Sequence, residues 1–301
     1  MSPPLVSIVI PTYNHARFLG EAIESALAQG SVATEIIVVD DGSSDDPAAV
    51  VSRYPGVLLI RQKNAGLAAA RNTGWRAASG AFVVFLDADD RLLPGALEAN
   101  LRLHSANPGC AFVYGRYRLI RADGTVRKEP LLVPIGQDPF AGFLRGNAVG
   151  MHGTVMYRRD CLEESGGFDP ALLACEDYDL YLRLSRTHKV ACSPEFIADY
   201  RMHGRNMSRR YPFMLGWALA ALCRQRRAAR GHPDHRQAYR EGIRNWKRHY
   251  AEQQLGRTWT EPTKHSIRDA LRIGRQAPLV VAGMSYRAIM RRLRRRRAER
   301  G

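Results

Sequence analysis

The sequence predicts an α/β fold: a doubly wound, mostly parallel sheet flanked by helices, with a basic, mainly helical C-terminal extension. Three observations carry this expectation. Short apolar runs alternate with helical patterns along the N-terminal third, several of those runs end abruptly in polar clusters, and the excess positive charge lies in the last third. Residues 1–200 hold 19 Lys and Arg against 23 Asp and Glu, whereas residues 201–301 hold 26 against 6.

Taken in order, Leu5–Ile10 reads as a first strand broken by Pro11-Thr12-Tyr13-Asn14, and Ala16–Gln29 repeats apolar residues at helical spacing (Phe18, Ala22, Ile23, Ala26, Leu27). Glu35–Val39 is a second strand ending in Asp40-Asp41-Gly42-Ser43, with a short helix over Asp45–Arg53. Val57–Ile60 is a third strand, and Asn64–Ala78 an Ala-rich helix closed by Ser79-Gly80. Phe82–Leu86 has no polar break, which marks a strand buried on both faces, and it discharges into Asp87-Ala88-Asp89-Asp90. Strands alternating with helices imply right-handed βαβ units, whose strand ends at Pro11–Asn14, Asp40-Asp41 and Asp87–Asp90 face one crevice.

Carboxylates clustered at a strand end repel one another unless a cation lies between them. A hard divalent ion with oxygen ligands, Mg2+ or Mn2+, meets that need and would hold phosphates. The plainer reading of the same residues is a solvated acidic loop or a helix cap. Neither Gly-x-Gly-x-x-Gly nor Gly-Lys-Ser/Thr follows a strand, so a dinucleotide fold and a phosphate-cradling loop are not indicated. Thr12 and Tyr13 offer a hydroxyl and an aromatic face suited to a base and ribose, and Asp41 an acceptor for a base N–H.

The chain resembles the family 2 glycosyltransferases, inverting nucleotide-sugar enzymes of GT-A fold. The matching segments are Val6–Asn14, Ile37–Asp45, Asn64–Gly74, Leu86–Asp90, Gly166–Asp169 and Glu176–Leu180, in family order over about residues 5–205. The resemblance implies that Pro11, Thr12 and Tyr13 line the nucleoside pocket, that Asp41 bonds the base, usually uracil, and that Arg71 takes part in nucleotide binding. It further implies Asp89 as the direct metal ligand, with Asp87 on the ribose or the metal shell, and Asp177 of Glu176-Asp177 as catalytic base. Glu176 adds a like charge that raises the pKa of whichever carboxylate is less solvated. Leu180–Leu184 completes an amphipathic helix and Ile197–Tyr200 is a short strand. His203, where family members often carry a histidine, is implied as a third metal or diphosphate contact. His152 is a weaker candidate on the acceptor side.

Composition agrees. A chain of 301 residues with 45% apolar residues can form one α/β domain plus an appendage. We expect a GT-A domain over residues 1–208, with a nucleotide-binding half to about residue 95 and an acceptor half over 96–208, then an extension over 209–301. Five cysteines without Cys-x-x-Cys spacing support neither a disulfide framework nor a zinc site, and a reducing cytosol fits best. The first strand begins almost at once, which leaves no room for a signal peptide.

In the extension, Leu215, Leu219 and Leu222 recur at helical spacing. Ala277–Met284 is too short to span a bilayer, which needs about 20 apolar residues, and leads into Arg291-Arg292-Leu293-Arg294-Arg295-Arg296-Arg297. Such an end suits the anionic inner face of a cell membrane; a solvated tail is the plainer reading, and nucleic acid is the weaker partner. The expected function is transfer of a sugar from a nucleoside diphosphate donor, a UDP-sugar, to a saccharide or lipid-linked acceptor in cell-surface polysaccharide synthesis. A nucleotidyltransferase is the first alternative, and Pro11-Thr12-Tyr13-Asn14 in place of a Gly-rich first loop speaks against it. A non-catalytic scaffold is the second, and a base beside a metal site speaks against that.

Overall fold

The computed structural model describes residues 6–204 and 206–276. The N-terminal third runs β1 (Val6–Thr12), α1 (Ala16–Leu27), β2 (Thr34–Asp40), α2 (Pro47–Val51), β3 (Leu58–Arg61), α3 (Leu67–Ala77) and β4 (Phe82–Phe85). Every residue of β1 is buried, the polar Ser7 and Thr12 included, as a strand covered on both faces requires. Helix α1 turns Phe18, Leu19, Ala22, Ile23 and Ala26 into the core, so four of the five residues of the expected stripe are buried, while Leu27 is exposed and Leu19 takes its place. Helix α3 lies unusually close to the sheet at Gly74, where a Cβ would meet Val9 Cγ1 at 2.2 Å.

The chain continues through β5 (Arg91–Leu92), α4 (Ala96–Ala106), β6 (Cys110–Arg121), β7 (Val126–Lys128), α5 (Pro139–Arg145), β8 (Met156–Arg158), α6 (Arg159–Ser165), α7 (Glu176–Leu184) and β9 (Lys189–Met202). One sheet joins these strands in the order β3-β2-β1-β4-β8-β6-β9-β5, with β7 paired to β6. It is parallel across β3-β2-β1-β4 and mixed beyond, since β8 pairs antiparallel with both β4 and β6, β9 parallel with β6, and β5 antiparallel with β9. The short strand expected at Ile197–Tyr200 is the last part of β9, which is 14 residues long. Periodicity misses its first half because β9 there mixes Ser193, Pro194 and Glu195 into the apolar pattern.

The described residues form two compact units, one reaching to Phe143 and resuming over Asn147–Gly204, the other containing Leu144–Gly146 and the helices that follow. The second unit consists of α8 (Tyr211–Arg224), α9 (Arg226–Ala229), α10 (Pro233–Thr260) and α11 (Lys264–Gln276). Leu215 and Leu222 are buried on α8, and α10 closes on Leu144, whose carbonyl oxygen would stand 1.9 Å from a Cβ at Gly242. Among the described residues no helix is long and apolar enough to cross a membrane. Ala277–Met284 and the arginine run Arg291–Arg297 lie outside the described residues. None of the five cysteines is in a disulfide.

Candidate active site

The C-terminal ends of β2, β1 and β4 stand side by side, so the three polar clusters converge on one edge of the sheet. In the first, Pro11 and Thr12 are buried at the end of β1 while the Tyr13 side chain is half exposed. Thr12 Oγ1 is buried without a hydrogen-bond partner. Such a hydroxyl is costly to leave unmatched, and it offers both a donor and an acceptor at the site. Asn14 adopts a left-handed φ of 57° and bonds across to Ser43 and Ser44, tying the first loop to the second.

In the second cluster the two aspartates divide their work. Asp40 is fully buried and structural, accepting from Ser43 N and Arg61 Nε. Asp41 accepts from Gln62 Nε2 at 2.7 Å and from the backbone N–H groups of Ala65 and Gly66, both at 2.9 Å. A carboxylate has about four acceptor sites, so one remains for a further donor.

The third cluster splits three ways. Asp87 accepts from Arg71 Nη2 at 2.7 Å. Asp89 lies 2.7 Å from His203 Nε2 and 3.9 Å from His15 Nδ1. Asp90 is buried and accepts the Arg201 backbone N–H, and burial, with Asp89 and Asp87 beside it, raises its pKa well above the usual carboxylate range. Arg201, itself buried, also donates to the Asp89 carbonyl, to the Ala122 carbonyl and to Glu21, so it clamps the acidic loop from behind.

His15, Asp89 and His203 form a donor set whose ligand atoms lie within 4.8 Å of one another. Two imidazoles and a carboxylate are chemically suited to a divalent ion. His203 and Asp89 therefore come together as expected, whereas Asp87 turns to Arg71 and His15 takes the third place. Nothing in the sequence around His15 marks it out; only its approach to Asp89 does.

Arg71 is the centre of the arrangement. It is 2% exposed and donates through Nη1 to Glu176 at 2.5 Å and through Nη2 to Asp87 at 2.7 Å. Burial opposes its charge, but Asp87, Glu176 and Asp177 outweigh burial and raise its pKa. Both terminal nitrogens are thus engaged by protein carboxylates, a pairing that motif matching could not reveal. Glu176 and Asp177 occupy the first turn of α7, where the helix N-terminus favours negative charge. Cys175 precedes them in a left-handed conformation, φ 59°, a local strain that turns the chain into the helix.

The two carboxylates differ in solvation. The Glu176 side chain is 5% exposed and that of Asp177 24%. Burial pushes Glu176 up to about 7, with Arg71 opposing and Asp177 adding to the rise. At Asp177 burial is outweighed by His152, Arg71 and the Tyr178 backbone N–H, which hold the group below the usual carboxylate value. The less solvated carboxylate is therefore Glu176, and Asp177 is the one that stays ionised and faces outward.

Residues 7–166 match the family model described as "Glycosyl transferase family 2". A chondroitin synthase of Escherichia coli is 32% identical over 209 residues, 68% of this chain and 30% of that protein. A hyaluronan synthase of Pasteurella multocida is 30% identical over 209 residues, 68% of this chain and 21% of that protein. The chain thus spans less than a third of the length of these curated relatives. Among solved structures, S. aureus TarS 1-349 in complex with UDP-GlcNAc has a TM-score of 0.62 at 17% identity, covering 89% of this chain and 79% of that one. The mannosyltransferase PcManGT from Pyrobaculum calidifontis, in complex with GDP-Man and Mn2+, has a TM-score of 0.61 at 19% identity, covering 95% and 81%. These likenesses show the GT-A fold.

Proposed function

The chain belongs to glycosyl transferase family 2, and from that premise we propose that it transfers a sugar, with inversion, from a nucleoside diphosphate donor to a saccharide or lipid-linked acceptor. A UDP-sugar is the donor we favour, and cell-surface polysaccharide the product class. The observation that carries this reading is the Arg71 bridge, which ties the donor-side Asp87 to the Glu176-Asp177 pair through one buried cation. The unpartnered Thr12 hydroxyl and the remaining acceptor site of Asp41 would serve the nucleoside.

In the reaction an acceptor hydroxyl attacks the anomeric carbon from the face opposite the diphosphate. Asp177 takes the hydroxyl proton, the new C–O bond forms, and the bond from the anomeric carbon to the phosphate oxygen breaks with its electron pair leaving on the diphosphate. A positioned base of this kind is worth about 10²–10⁴-fold in rate. Glu176 holds Arg71 in place, and Arg71 in turn orients Asp87. His15, Asp89 and His203 would hold a divalent ion, and of Mg2+ and Mn2+ the nitrogen-rich donor set favours Mn2+. When bound, that ion offsets negative charge on the leaving diphosphate.

The basic segment over residues 209–301 would attach the enzyme peripherally to an anionic inner membrane face. Donor hydrolysis across a panel of nucleotide sugars tests the whole reading: turnover of one donor class with nucleoside diphosphate released is the expected result. Release of pyrophosphate from a nucleoside triphosphate instead would make the chain a nucleotidyltransferase, and no turnover of any donor would leave a binding protein.

A further inference from the structure

Beneath Asp177 lies a histidine that the proposed reaction does not use. His152 sits in the 3-10 turn His152–Thr154, with its side chain 4% exposed. Phe85, Tyr157, Phe168 and Tyr181 surround its ring, with centroids 5.4–6.0 Å away. Its Nδ1 faces two polar groups, the Tyr181 hydroxyl at 3.3 Å and Asp177 Oδ2 at 3.8 Å. Nε2 is buried with no hydrogen-bond partner.

That asymmetry decides the tautomer. A proton on Nε2 would be a buried donor without an acceptor, whereas a proton on Nδ1 points at a carboxylate and leaves only a bare lone pair behind, the cheaper deficit. The imidazolium is disfavoured as well. Burial lowers the histidine's pKa, and Arg71 adds to that, against the opposing pull of Asp177 and Asp87. His152 therefore keeps one proton, on Nδ1, and does not serve as the final proton acceptor.

We propose that His152 is a positioning residue for Asp177, its Nδ1–H dipole fixing the orientation of Oδ2 and favouring the ionised carboxylate. The separation of 3.8 Å is longer than a hydrogen bond, and catalytic hydrogen bonds commonly tighten only in the reacting complex. The proposal rests on the reading of Asp177 as the base, and its test separates the two.

The Asn amide nitrogen falls near the place of Nδ1 and the Gln amide nitrogen near that of Nε2. His152→Asn should therefore keep kcat within about 3-fold, whereas His152→Gln should lower it about 10-fold or more while donor KM and nucleoside diphosphate binding stay within about 2-fold. The acid limb of the kcat profile should move to higher pH in His152→Gln, because the donor that lowers the Asp177 pKa is gone. In an Asp177→Asn background, His152→Gln should cost nothing further.

Equal kcat and equal acid limbs for the Asn and Gln variants would overturn the proposal, as would an undiminished loss in the Asp177→Asn background. Full activity of Asp177→Asn alone would instead reject the base assignment. 15N-histidine NMR of the unaltered protein reads the tautomer without any substitution: Nδ1–H is expected, and an Nε2–H signal for His152 would also overturn the proposal.

Discussion

The strand-end half of the site and the half carried by α7 and β9 secure their charged groups over very different spans of chain. In the first, Asp40 and Asp41 find Ser43, Arg61, Gln62, Ala65 and Gly66, all within 25 residues. In the second, Glu176 reaches Arg71 across 105 residues, His203 reaches Asp89 across 114, and Arg201 reaches Glu21 across 180. The local half takes shape from its own turns. The distant half exists only when the whole sheet is assembled, so substitutions there should couple chemistry to stability, and substitutions in the local half should not.

The sharpest test lies where the two halves meet, at Asp89. Asp89→Ala should lower donor turnover by about 10³-fold or more, since a bound divalent ion contributes several kcal/mol of charge stabilisation. Full activity of the unaltered enzyme in excess chelator would refute it. Next in size, Asp177→Asn should reduce kcat about 10²-fold or more with nucleoside diphosphate affinity within a few-fold. An active Asp177→Asn beside an inactive Glu176→Gln, compared by single-turnover assay, would exchange the roles of the two carboxylates.

A third and smaller effect concerns pH and stability. Burial raises the Glu176 pKa to about 7 in the folded chain, from an ordinary value of 4.5 and against the opposing pull of Arg71. Its contribution to stability is therefore complete below the unfolded pKa and is lost as pH rises through the folded one. Between about pH 5 and pH 8 the Tm of the unaltered protein should fall more steeply than that of Glu176→Gln, measured by calorimetry. Parallel slopes would show that the distant half does not couple ionisation to folding.

The smallest catalytic effect is expected from removing the tail. Deleting residues 285–301 should release the protein from acidic vesicles, yet leave turnover of a soluble acceptor largely intact. Binding of the full chain should weaken as salt shortens the Debye length from about 10 Å at 0.1 M to about 3 Å at 1 M. Vesicle co-sedimentation indifferent to both salt and deletion would exclude this mode of attachment.

The same contrast explains what could be read from the sequence. Strand ends and their acidic clusters were legible because their signals are local: an apolar run, a break, a carboxylate. Arg71 was visible as a residue of interest, but its partners were not, since nothing near position 71 points to position 176. The three acids of Asp87–Asp90 looked alike in sequence and have three different partners in space. His15 and Arg201 escaped notice because a single histidine or arginine in a loop or strand carries no pattern, and their significance comes only from the Asp89 carboxylate and carbonyl they meet.

The place of β9 in the sheet has a consequence for how the protein is made. This strand lies between β6 and β5 and carries Asp199 and Arg201, with His203 just past its end, yet among the described residues it is the last strand to leave the ribosome. At translation rates of about 5–20 residues per second, the edge of β6, with Ala111, Phe112, Val113 and Tyr114 destined for burial, waits on the order of several seconds for its partner. Until then the nascent chain presents an open, apolar strand edge of the kind that recruits chaperones or neighbouring chains. Truncated chains ending before residue 189 are therefore expected to lack both β9 and His203, and to accumulate as aggregates.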